Sequence, residues 1–126
     1  MRRAWIAGGL AVIALAAPGL ATGPQHGTVG HYDALLGDAD HYDENGVRLR
    51  SALAILRRDR VNVHLNGEPD DADEYDSFFA YIEGRRRFEY MLDAGELSGA
   101  DEIAIVEGPV LVHVDIYPHS IHVEVR

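Results

Sequence analysis

Apolar and polar residues alternate most regularly at the C-terminal end of the chain. Val110, Val112, Val114 and Ile116 interleave with Leu111, His113, Asp115 and Tyr117. After Pro118-His119-Ser120, the residues Ile121, Val123 and Val125 interleave with His122, Glu124 and Arg126. A period of two in both runs, joined by a short link, predicts a β-hairpin with one apolar and one polar face. A turn centred on His119-Ser120 would set Asp115 opposite Glu124, Tyr117 opposite His122 and His113 opposite Arg126.

Helical spacing dominates the middle of the chain. Leu49, Leu53 and Leu56, with Ala52, share one helical face, so Val47 to Asp59 reads as a helix. Arg57, Arg58 and Arg60 near its end suit the negative pole of the helix dipole. Val61 to Leu65 alternates and runs into Asn66-Gly67, a strand pattern closed by a turn. Pro69 to about Ala94 reads as helix in two pieces, with acidic first turns, a break at Gly84 and a C-cap at Gly95. Ser98-Gly99-Ala100-Asp101 resembles a capping box and starts a short helix ending at Gly108. The fold class is therefore α+β: a small single domain, about three helices packed on a small, mostly antiparallel sheet that ends in the C-terminal β-hairpin.

The pattern changes upstream. Residues 22–46 are rich in Gly, Asp and His and carry one apolar cluster, Ala34-Leu35-Leu36, which predicts an extended or loop-like acidic leading segment. His31-Tyr32-Asp33 recurs there as His41-Tyr42-Asp43, too little for a repeat architecture. Residues 1–21 have the order of a secretory signal peptide: Arg2 and Arg3, an uncharged apolar stretch from Ala4 to Ala17, then Pro18 and the small-residue ending Gly19-Leu20-Ala21. The stretch falls short of the about 20 strongly apolar residues that a membrane span wants. The expected organisation is a signal peptide over 1–21, the acidic segment over 22–46 and the α+β domain over 47–126. The expected location is the periplasm or the extracellular space, with no stable membrane span after signal cleavage.

Charge sharpens this picture. The chain carries −10 at neutral pH, with 11 basic and 21 acidic residues. Loss of Arg2 and Arg3 with the signal leaves nine arginines against the same 21 acids, hence −12. Such a product repels nucleic acid and anionic membranes and favours basic partners or cations. Cysteine is absent, so a small exported domain must fold here on packing without disulfides.

Candidate chemistry is sparse. His113, Asp115, His122 and Glu124 share the polar face of the expected hairpin, and imidazole with carboxylate suits a divalent metal such as zinc. The acidic stretch from His31 to Glu44 fails as a calcium loop: with Gly46 in the sixth place, His41 falls first and Ala52 twelfth. Arg85, Arg86 and Arg87 form the one basic run inside the domain, a candidate partner-binding site. Glu83–Arg87 and Arg85–Glu89 spacings also allow ion pairs along one helix face. Six tyrosines offer rigid contact area. No cysteine nucleophile, G-x-S-x-G serine, phosphate loop or H-E-x-x-H motif occurs. The resulting expectation is a non-enzymatic, acidic exported protein that binds another macromolecule, a basic protein by charge, in an inhibitor- or immunity-like role. Divalent-metal binding is the alternative, and no cofactor is required by the sequence.

Overall fold

The structure is a computed structural model that describes residues 27–126. The signal-peptide reading and the start of the acidic segment lie outside these residues. Three strands form one antiparallel sheet in the order β1 (Gly30–Leu36), β2 (Val110–Ile116), β3 (Ile121–Val125). Four α-helices lie between β1 and β2 in sequence: α1 (Ala52–Val61), α2 (Ile82–Arg86), α3 (Phe88–Ala94) and α4 (Gly99–Glu107). The domain is α+β and ends in the expected hairpin. No helix among the described residues is long and apolar enough to cross a membrane.

Alternation decides what each strand buries. Tyr32, Ala34 and Leu36 of β1 join Val112, Val114 and Ile116 of β2 and Ile121 and Val123 of β3 in the core. Ala52, Ile55 and Leu56 of α1, Phe88 and Met91 of α3 and Ile105 of α4 complete it, with Phe79 from the segment before α2. The helical layer thus covers one face of the sheet, and the other face meets solvent.

Four local outcomes differ from the sequence expectations. First, residues 30–36, expected to be extended or loop-like, are extended and pair as a strand of the sheet. Second, the hairpin turn spans Tyr117 to Ser120, closed by Tyr117 N–H donating to Ser120 O at 2.8 Å. Ile116 therefore pairs with Ile121, Asp115 with His122 and His113 with Glu124. The register is displaced by two residues, an even number, so each side chain keeps its face.

Third, Val61–Leu65 is not a strand. α1 continues into a π-helical turn, Asn62–Asn66, ended by Gly67 at φ 64°. Asn62 and Val63 are both buried, which strand alternation would forbid. Asn62 has a partner inside: its Nδ2 donates to Asp40 Oδ1 at 2.8 Å. Fourth, residues 69–81 are irregular, because their acids capture backbone N–H groups that a helix would use. Asp73 Oδ2 accepts from Asp70 N, and Asp76 Oδ2 from Phe79 N.

The short helices are placed by close approaches. The break falls at Arg87, between α2 and α3, and not at Gly84. Gly84 is buried where an added Cβ would stand 2.1 Å from Phe78 O. Gly95 caps α3 as expected, and an added Cβ there would stand 1.7 Å from Ile121 O. α4 starts as predicted, with Ser98 Oγ accepting from Asp101 N at 3.1 Å. Its last carbonyls are met by side chains: His41 Nε2 lies 2.8 Å from Ile105 O, and Arg48 Nη2 donates to Val106 O at 3.0 Å. The Arg48 guanidinium suits that end of a helix.

Candidate functional site on the open sheet face

The uncovered face of the sheet carries two cross-strand rows. One runs His31, Asp115, His122, and the other Asp33, His113, Glu124. Imidazole and carboxylate therefore alternate both along and across the strands. Opposite charges facing each other across a sheet attract, so the pattern is self-consistent. The observed register matters here: each acid of the hairpin faces a histidine, and the Asp115–Glu124 opposition expected from sequence does not form.

His113 is the centre of this pattern. Its Nδ1–H donates to Asp33 Oδ1 at 2.6 Å and its Nε2–H to Asp115 Oδ1 at 3.0 Å. A ring that donates from both nitrogens is an imidazolium. Partial burial opposes that charge, but the bonds to Asp33 and Asp115 outweigh it and raise the pKa. The His31 ring lies 5.8 Å from the His113 ring, centroid to centroid. Desolvation, Asp115 and Glu96 raise the Tyr117 hydroxyl above its ordinary value, so it stays protonated.

The candidate metal ligands are divided between two pairs of contacts. Both ring nitrogens of His113 are engaged, so a metal would have to displace Asp33 or Asp115. His122 turns to the far side of β3, where its Nδ1 lies 2.8 Å from Glu96 Oε1. Glu124 is exposed beside it. Among the described residues, no three His, Asp or Glu side chains converge in an arrangement that could hold a metal ion.

Both edges of the sheet are partly capped by acidic residues. Along β1, Asp33 N–H donates to Glu74 Oε1 and Leu35 N–H to Asp73 Oδ1, each at 2.8 Å. Asp33 O accepts from Glu74 N at 2.9 Å. Along β3, Glu96 N donates to Ile121 O, Val123 N donates to Glu96 O, and Val125 N donates to Asp101 Oδ2 at 3.1 Å. Three outward-facing backbone groups on each edge strand are thus taken: the N–H and C=O of Asp33 and the N–H of Leu35 on β1, and Ile121 O, Val123 N–H and Val125 N–H on β3. Beside β3, Glu96, Asp101, His122 and Glu124 line an open hollow of about 490 Å³, together with Leu97 and Ser98.

The candidate partner-binding arginines lie in the helical layer. Arg85 Nη1 donates to Phe79 O and Ala80 O. Arg87 Nη2 donates to Pro118 O and His119 Nδ1, tying the α2–α3 junction to the hairpin turn. Arg86 is exposed. The Glu83–Arg87 and Arg85–Glu89 pairs do not form, because the break at Arg87 interrupts the helical spacing that they need.

Sequence reasoning named four of the six residues in the rows and missed His31 and Asp33. The signal was present, since Tyr32, Ala34 and Leu36 alternate with them. It was masked by Leu35, an apolar residue on the polar face. No protein-family model, curated protein or solved structure matches this chain.

Proposed function

We propose that this chain is an exported, non-enzymatic binding domain that docks a basic protein segment on the open face of its sheet. The observation that carries the reading is the alternating imidazole–carboxylate surface left uncovered on a sheet whose edges are both partly capped. Strand addition by a peptide has no free backbone to use at those closed positions, so recognition falls to side chains.

Charge supports a basic occupant. Asp33, Asp115, Glu124 and Glu96 lie on or beside this face, and the hollow by β3 offers Glu96, Asp101 and Glu124 to an arginine or lysine side chain. Leu111 is 45% exposed and Leu35 faces it, which gives the surface an apolar end. An apolar patch bordered by charge is the usual anatomy of a protein interface. Electrostatic complementarity of this kind governs association rate and choice of partner more than raw affinity.

A photo-crosslinking side chain at Leu111 tests the reading in cells that export the protein. The expected result is an adduct with a basic protein, lost when Asp33→Asn and Glu124→Gln are combined. Equal adduct yields from a probe at Tyr90, on the helical side, would overturn it.

A further inference from the structure

The helical layer carries a second feature of opposite character. A cleft of about 210 Å³ lies between α1 and α2, lined by Arg57, Arg85 and Arg86 together with Val61, Ile82 and Phe88, with Arg60 in its wall. That is the room of roughly seven water molecules. Its lining combines four arginines with three apolar side chains, its accessible surface is mostly apolar, and its charges are all guanidinium groups.

Three of these arginines, Arg57, Arg85 and Arg86, are not neutralised by the described residues. Among the described residues, the arginine–carboxylate contacts within ion-pair distance belong to Arg60 alone, with Asp59 and Asp76. Arg57, Arg85 and Arg86 have none, although acids outnumber arginines by 21 to 11 over the whole chain. Arg85 is held in place through Nη1 by two backbone carbonyls of the preceding segment, so part of its ordering cost is already met. Arg60 is fully buried and paired with Asp59 and Asp76, so it forms wall and leaves the binding charge to Arg57, Arg85 and Arg86.

We infer that this cleft binds a small organic anion with a planar carboxylate head and an apolar body. Guanidinium groups match carboxylate geometry through paired N–H donors, and Ile82, Phe88 and Val61 supply a surface for the apolar part. A bare inorganic anion would leave that surface unused.

Amide NMR of the exported chain, titrated separately with benzoate, benzyl alcohol and inorganic phosphate, tests this. Benzoate is expected to give saturable shifts at Ile82, Gly84 and Phe88, with benzyl alcohol and phosphate at least tenfold weaker. Arg57→Gln with Arg86→Gln should weaken benzoate at least tenfold. Both side chains are exposed and unpaired, so the spectrum should otherwise be kept. Arg126→Gln, away from the cleft, should leave the affinity unchanged. Absence of saturable shifts, equal binding of benzyl alcohol or phosphate, or undiminished benzoate binding in the double variant would overturn the inference.

Discussion

The molecule holds a cation between two carboxylates in two places, and the two behave as opposites. In the interior, Arg60 is fully buried and meets Asp59 and Asp76, each at 2.8 Å. Its Nη1 also donates to Glu74 O at 2.9 Å, and the Tyr32 ring lies 3.7 Å beneath the guanidinium. On the open sheet face, His113 meets Asp33 and Asp115, with side chains 19%, 53% and 36% exposed. The same arrangement is architecture in one site and an accessible surface in the other. Removing one partner from a buried set leaves a charge with neither water nor counter-ion, whereas an exposed set falls back on solvent.

Three measurements would break or sharpen that contrast. The largest effect is expected from Arg60→Met, which removes the counter-ion of Asp59 in the interior and leaves Asp76 with only His64 and the Phe79 N–H as partners. Urea unfolding should show a loss of about 3–5 kcal/mol. A loss under about 1 kcal/mol would put the two sites in the same class.

The second effect is in pH. Burial pushes Asp59 up to about 8 against the pull of Arg60. Burial also pushes Asp40 up to about 6, against its hydrogen bonds from Asn62 and Gly37. His113 is raised as well, by its two carboxylates acting against partial burial. A group whose pKa is higher folded than unfolded stabilises the fold below its unfolded value, and loses that contribution as pH rises through its folded value. All three therefore act in one direction: across about pH 4 to 6 for Asp40, across about 4 to 8 for Asp59, and above about 6.5 for His113. Thermal melts should give a higher Tm at pH 5 than at pH 8. His113→Gln should flatten only the part above about pH 6.5. A Tm that rises from pH 5 to pH 8 would contradict the assignment.

The smallest effect is expected from His113→Gln at neutral pH. Loss of an exposed pair should change unfolding free energy by less than about 1 kcal/mol. The same substitution should lower the crosslinking yield from Leu111, because it removes the group that holds Asp33 and Asp115 in position. A loss of several kcal/mol without any change in crosslinking would make the surface set structural after all.

The contrast also explains what was legible in the sequence. The hairpin and its polar face follow from local alternation, so His113, Asp115, His122 and Glu124 could be named without a structure. Their pairing could not, because it depends on whether the turn takes two residues or four. Even so, a displacement by two leaves every side chain on its expected face. β1 was legible in principle but hidden by Leu35. The Arg60 set had no local signature at all. Arg60 looked like one more cation at a helix end, and its burial is decided by Tyr32 and Asp76, which lie 28 residues before it and 16 after it. The irregular segment from 69 to 81 was misread for a related reason. Its acids resemble a helix start, yet their carboxylates are used by β1 and by their own loop.

The capped edges of the sheet have a consequence for the protein at high concentration. An antiparallel sheet with free edges can pass its hydrogen-bonding pattern to the next molecule and grow into a fibre. Here Asp73 and Glu74 stop that growth at β1, and Glu96 and Asp101 stop it at β3. Two of the three terminating groups on β1 are the carboxylates of Asp73 and Glu74, and the third is the backbone N–H of Glu74. Resistance to polymerisation at that edge therefore resides mainly in a few charges that a point mutation can remove while leaving the core intact.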